Sequence, residues 1–238
     1  MWVFVIAFVL IVAVIFATVS RLDTQTRDPM LKPNGGAAGM ANSATRHSVD
    51  VRPLTSLLPE QFIVLDLETT GLDPSRHEII EYGAIRANTD SDTHTGFRTL
   101  VIPRKKIPQK ITEITGITQA MVELEGLPPI EAFTQFVEFI GDLPLVTFNA
   151  QFDMAFLYSA AREHGITINN RYACALKRAR RAWPGLQSYR LADLAKMGKL
   201  SDEDSHRALG DCKRALIVFT AATSKLGQKV RWTSPPQS

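Results

Sequence analysis

The sequence predicts an α/β domain built on a mixed sheet, and three observations support that class. The run Phe62-Ile63-Val64-Leu65 leads into Asp66-Leu67-Glu68-Thr69-Thr70 and stops at Gly71 and Asp73-Pro74, a buried strand closed by a turn. Two more strand-like stretches follow after short polar connections, so the domain opens as a meander. Helical stripes then alternate with a further short apolar run, the pattern that adds strands to a sheet through helical crossovers. At 238 residues, 45% of them hydrophobic, the chain is long enough for one full core and additional segments.

The N-terminal stretch has a different character. Trp2 to Val19 contains no charge, and as a helix it measures about 27 Å, close to the hydrocarbon thickness of a bilayer. Arg21, Arg27 and Lys32 follow it with nothing basic before it. The expectation is therefore a retained transmembrane helix over 2–19, single-pass in the cell membrane, with the rest of the chain on the cytoplasmic side. A cleaved signal peptide would need a basic start, which Met1-Trp2 lacks, and a core helix would need a polar face. Residues 20–57, with Asp28-Pro29 and Lys32-Pro33-Asn34-Gly35-Gly36, read as a flexible linker. Gly35-Gly36 is not a phosphate loop, because it has no strand before it and no Lys-Ser/Thr after it. Cys174 and Cys212 fit no metal spacing and read as reduced thiols.

Within the domain, expected over 58–228, Glu78 to Ile85 reads as a second strand and Gly96 to Ile102 as a third. A basic loop at Arg104-Lys105-Lys106 leads to two short helices, 111–116 and 118–124, the second capped by Thr118. Ile130, Phe133, Phe136, Val137 and Ile140 make a helical stripe over 129–140. Leu145 to Phe148 is a fourth strand, and 152–164 a helix ended by Gly165. Residues 171–181 read as a basic helix, 191–197 as a short one, and 208–226 as the last. The tail 229–238, with Pro235-Pro236, is expected to be disordered.

The chemistry begins with Asp66 and Glu68. Two residues apart on a strand, their side chains share a face, and like charges at the end of a buried strand repel unless something positive lies between them. Carboxylate oxygens suit Mg²⁺ or Mn²⁺. The bland alternative is a pair of solvated acids at a strand end. Asp153 stands where a strand gives way to a helix, and alone reads as a first-turn acid facing the helix dipole. His206, five residues before Asp211, alone reads as a loop histidine. Taken singly, each bland reading holds.

Taken together they do not. Asp66-x-Glu68-Thr69-Thr70-Gly71, Ile79-Ile80-Glu81, Thr115-Gly116-Ile117-Thr118, Asn149-Ala150-x-Phe152-Asp153 and His206-Arg207-Ala208-Leu209-x-Asp211 resemble the DEDD exonucleases in their histidine-type branch. The likeness covers roughly residues 60–226 and is strongest to the proofreading (epsilon) type of DNA polymerase III, with RNase T-like enzymes as cousins. It implies a ribonuclease H-like sheet flanked by helices, two divalent metal ions (Mg²⁺ or Mn²⁺), and 3′→5′ hydrolysis that releases nucleoside 5′-monophosphates. By that resemblance Asp66, Glu68, Asp153 and Asp211 hold the metals and His206 is the general base. Thr69, Thr70 and Asn149 lie where substrate is touched. The tyrosine-type branch would place Tyr at the position of Arg207. Two positions depart from the family pattern, Phe148 for a usual His and Cys174-Ala175 for a usual Asp-Thr, and neither supplies a metal ligand.

Between residues 171 and 190 lie Arg171, Lys177, Arg178, Arg180, Arg181 and Arg190 with no acid, interleaved with Trp183 and Tyr189. That composition suits a nucleic-acid strand, with Arg178 and Arg181 as expected contacts; the alternative is a solvated helix face. The expected partner is nucleic acid with a free 3′ end, DNA ahead of RNA, together with the membrane and a possible polymerase or repair complex. An RNA 3′-end trimmer of the same fold is the rival enzyme. A non-catalytic 3′-end binder is the rival from another class, and it would have no need of His206.

Overall fold

The computed structural model describes residues 54–91, 93–198 and 207–236. The expected membrane helix, most of the linker and His206 lie outside these residues. No helix among the described residues is long and apolar enough to cross a membrane.

A five-stranded sheet organises the domain. Strand β1 (Gln61–Thr69) pairs antiparallel with β2 (Ile79–Asn88), which pairs antiparallel with β3 (Thr95–Leu100). On its other side β1 runs parallel to β4 (Leu145–Thr147), which runs parallel to β5 (Tyr172–Cys174), giving the order β3-β2-β1-β4-β5. This is the mixed, ribonuclease H-like sheet that the sequence predicts. Helices α1 (Gln109–Thr115), α2 (Gln119–Glu125) and α3 (Pro129–Ile140) lie between β3 and β4. The Thr118 hydroxyl accepts from the Met121 amide at 3.2 Å, the expected cap of α2.

Strand alternation divides the core in two. Ile63, Leu65 and Leu67 of β1 point to one face, where they pack with Phe133 and Phe136 of α3 and with Met154 and Leu157 of α4 (Ala150–His164). Phe62 and Val64 point to the other face, against Cys212, Ala215, Leu216 and Phe219 of α7 (Ala208–Leu226). Asp66 and Glu68 continue that second series, so both carboxylates emerge on the α7 side. Helix α7 is buried along most of its length because α5 (Ala175–Ala182) and α6 (Leu191–Met197) cover it from outside.

Three expectations change at the edges. The domain starts at Leu54, whose short 3₁₀ turn packs on the core, so the linker ends before residue 57. Residues 171–174 form strand β5 rather than the start of a helix; three residues carry too little pattern to announce a strand, and pairing with β4 decides it. The tail is fastened to the domain as far as Thr233. Thr233 exchanges hydrogen bonds with Tyr172 at 2.8 and 2.9 Å, and Val230 and Trp232 pack on the core. An unpaired edge of β5 offers donors and acceptors that this segment satisfies.

Candidate active site

Four carboxylates from three parts of the fold converge where β1 ends. Asp66 and Glu68 come from β1, Asp153 from the first turn of α4, and Asp211 from the first turn of α7. Oxygens of Asp66, Glu68 and Asp211 all lie within 4.8 Å of one another. Asp153 is buried and accepts from the Thr147 hydroxyl.

The approach of α7 depends on two residues of β2. Gly83 is the partner of Asp66 in the β1–β2 register, and a Cβ there would come within 2.5 Å of the Ala208 backbone. Only glycine lets the start of α7 rest on the sheet beside Asp66. Glu81, fully buried, pairs with Arg207 at 2.7 Å and with Arg98 at 3.2 Å, and accepts from the Ala208 amide at 2.9 Å. That amide is one of the free N–H groups of the helix start, so Glu81 fixes where α7 begins and hence where Asp211 sits. Arg214, itself buried, holds the Asp211 carboxylate at 2.6 and 3.0 Å.

Asp66, Glu68 and Asp153 have no ion pair with another described residue. Burial, then the Asp153, Glu68, Asp211 and Glu81 carboxylates, holds Asp66 well above the usual carboxylate range. Burial, then Asp211, Glu81 and Asp153, pushes Glu68 up to about 8, with Arg207 opposing. Burial raises Asp153 to about 7, although hydrogen bonds from Thr147 and from the amides of Asp153, Leu67 and Asn149 pull it down. Without a cation these groups keep protons at neutral pH, a condition a bound divalent ion would reverse. An all-oxygen donor set suits Mg²⁺, Mn²⁺ or Ca²⁺, so the residues fit such an ion.

The other expected site residues divide. Asn149 is exposed and lines an open cleft of about 870 Å³ with Phe148, Arg180, Tyr189 and Arg190. The Arg180 guanidinium lies 5.7 Å from the Tyr189 ring centre. Thr69 and Thr70 are both buried, and their hydroxyls build the turn: Thr69 donates to the Gly71 carbonyl at 2.6 Å, and Thr70 accepts from the Glu78 amide at 2.9 Å. Their hydroxyls are thus engaged within the turn that follows β1.

Arg178, another expected contact, has a role within the fold. It is buried, its Nε donates to Thr223 at 2.7 Å and its terminal nitrogen to the Gln228 carbonyl, which ties α5 to the end of α7. Burial, then the charge of Arg181, pushes Arg178 down to about 10. Arg181 is exposed and bonds the Gln228 side chain at 3.2 Å, and neither arginine lines the cleft beside Asn149. Glu81, Gly83, Thr147 and Arg214 went unread as site-building residues. Glu81 and Gly83 stand in the strand facing Asp-x-Glu, but their partners come from Arg98, Arg207 and Ala208, far along the chain.

A mixed sheet whose central strand ends in a cluster of carboxylates defines a nuclease-type hydrolase. The exonuclease family model of RNase T type matches residues 63–219, and the chain belongs to that family of 3′→5′ exonucleases. The DNA polymerase III subunit epsilon of Aquifex aeolicus is 36% identical over 173 residues, covering 72% of this chain and 84% of that protein. The PolC-type DNA polymerase III of Clostridium perfringens is also 36% identical, over 172 residues and 72% of this chain, but the chain spans only 12% of its length. Among solved structures, exonuclease X in complex with 5′-overhanging duplex DNA superposes with a TM-score of 0.55 at 27% identity, covering 71% of this chain and 94% of that one.

Proposed function

We propose that the chain removes nucleotides one at a time from the 3′ end of single-stranded DNA, releasing nucleoside 5′-monophosphates with the help of two divalent ions. The observation that carries this reading is the convergence of Asp66, Glu68, Asp153 and Asp211, the first three with raised proton affinities and the last paired with Arg214. Asp66, Glu68 and Asp211 would hold one ion, with Asp66 and Asp153 supporting a second. Bound there, the ions supply an acidified water and neutralise phosphate charge.

The chain's own residues do the positioning. Thr147 orients Asp153, Arg214 orients Asp211, and Glu81 with Gly83 sets the depth at which α7 meets the sheet. His206, five residues before Asp211, is proposed to take the proton of the attacking water on a ring nitrogen. An alkaline-rising limb in the pH–rate profile that disappears in His206→Ala would support that role, and an unchanged limb would remove it. Asn149, Arg180 and Tyr189 line an open cleft suited to a strand whose bases stack and whose phosphates meet a guanidinium. DNA is favoured over RNA because the epsilon relative is named as a polymerase III subunit and exonuclease X was solved on DNA. Association with a polymerase, and tethering to the membrane through residues 2–19, belong to the same proposal.

The test is incubation of the full chain with 5′-labelled DNA and RNA of one sequence, in Mg²⁺ or Mn²⁺. The expected result is a ladder shortening from the 3′ end, faster on DNA and stopped by EDTA. Faster shortening of RNA selects the RNA-trimming reading, and binding without cleavage selects the non-catalytic one.

A further inference from the structure

Helix α5 separates two concavities. On one side lies the cleft with Asn149 and Arg180. On the other is a pocket of about 430 Å³ lined by Lys177, Arg178, Arg181 and Arg231, with no carboxylate in its wall. Arg231 arrives from the C-terminal segment that Thr233 fastens to β5, so the fourth cation is delivered by ordered structure. Arg178 is buried there against neutral acceptors only, the Thr223 hydroxyl and the Gln228 carbonyl. None of the four forms an ion pair with another described residue. Four like charges around one concavity, one of them desolvated, repel each other until an anion enters.

Both concavities touch the start of α4. Phe148 and Asn149 border the cleft, Ala150 and Gln151 border the pocket, and the same turn delivers Asp153 to the acidic centre. Helix α5 contributes Arg180 to the cleft and Lys177 and Arg181 to the pocket, so a strand that passed round it would stay beside basic side chains.

We infer that this pocket is a second phosphate-binding site, which grips the sugar–phosphate backbone of the nucleic-acid substrate away from the end being cut. The inference rests on the exonuclease reading above and adds a strand anchor outside the catalytic centre. Such an anchor holds long strands and is out of reach of short ones, so its signature is a dependence on length.

The experiment compares the full chain with a variant carrying Lys177→Ala, Arg181→Ala and Arg231→Ala, all at exposed positions. Binding of fluorescent oligothymidylates, one of about four nucleotides and one of about fifteen, is measured in Ca²⁺. Hydrolysis of the p-nitrophenyl ester of thymidine 5′-monophosphate in Mn²⁺ reports the catalytic centre alone. The variant should bind the long strand about tenfold or more weakly, with the salt slope of its affinity reduced by about 2, three contacts at about 0.7 each. Its affinity for the short strand and its ester hydrolysis should match the parent. A second variant, Lys177→Arg with Arg181→Lys and Arg231→Lys, should keep long-strand affinity.

Equal losses on both lengths, or no loss on either, would overturn the anchor. So would loss of binding to an acidic peptide with long-strand affinity intact, which would make the pocket a protein-docking site. Loss of affinity for inorganic phosphate alone, with long-strand binding intact, would reduce it to a free-anion site. Failure of the parent to cleave either the ester or any strand would count against the exonuclease reading, while the length comparison would still judge the pocket.

Discussion

Glu68 on β1 and Glu81 on β2 face each other across the sheet, yet they occupy opposite electrical conditions. Glu81 is fully buried and meets two arginines and a backbone amide. Glu68 is less buried, has no ion pair with a described residue, and is pushed up to about 8. Two carboxylates at one height on neighbouring strands differ because one serves structure and the other is left to bind something. The fold can bring cations to this region, and brings them to Glu81. Leaving Asp66, Glu68 and Asp153 without such partners raises the energy of the metal-free protein and reserves their charge for an ion.

Exchanging the two roles should be visible in mutants. Asp66→Asn should take hydrolysis below detection in Mg²⁺ and in Mn²⁺. Its melting temperature in EDTA should hold or rise, because asparagine is neutral without holding the proton that the buried Asp66 carboxyl must keep against its unfolded affinity. Near-full activity in Mn²⁺ would place the metal elsewhere. Glu81→Gln should do the opposite to stability. Removing the charge weakens the pairing with Arg207 and Arg98 and loosens the start of α7, at a cost of about 3–5 kcal/mol in urea unfolding. A loss under about 1 kcal/mol would show that Glu81 does not seat the helix.

The pH dependence of stability should sharpen the contrast without any mutation. Glu68, Asp153 and Asp66 all have folded-state proton affinities above their unfolded ones. Between the unfolded values near pH 4 and the folded values of about 7 for Asp153 and about 8 for Glu68, the folded protein holds more protons than the unfolded one. Stability in EDTA should therefore fall as pH rises through that window. A saturating divalent ion, which needs the deprotonated carboxylates, should flatten or reverse the trend. A metal-free stability that rises over the same window would contradict the shifts. The smallest effect is expected from Arg98→Ala. Arg98 is the more exposed of the two arginines on Glu81, and Arg207 with the Ala208 amide remains, so the loss should be about 1 kcal/mol or less.

Part of the candidate site was legible in the sequence. Asp66 and Glu68 share a face by strand alternation alone, whereas Asp153 and Asp211, bland singly as helix-start acids, joined them only through the family resemblance. The sheet was legible because its signals are local, except β5, whose three residues become a strand only beside β4 and Thr233. What was hidden depends on distant partners. Nothing near Arg178 shows that Thr223 and Gln228 will bury it, and nothing near Glu81 shows that Arg98 and Arg207 will neutralise it. The basic run 171–190 was legible as charge. Its division by α5 into a cleft-facing side and a separate pocket was not, because that requires the C-terminal segment to return beside β5.

Calorimetric titration of Mn²⁺ into the metal-free full chain at pH 7, in two buffers of different ionisation enthalpy, reads metal binding and proton displacement together. Glu68 and Asp153 carry protons near that pH, so ion binding should release about one proton or more, read from the difference between buffers. Both the binding and the proton release should vanish in Asp66→Asn. Absence of binding to the parent, or binding that releases no proton and survives Asp66→Asn, would contradict the assignment of the four carboxylates as the metal-holding catalytic centre.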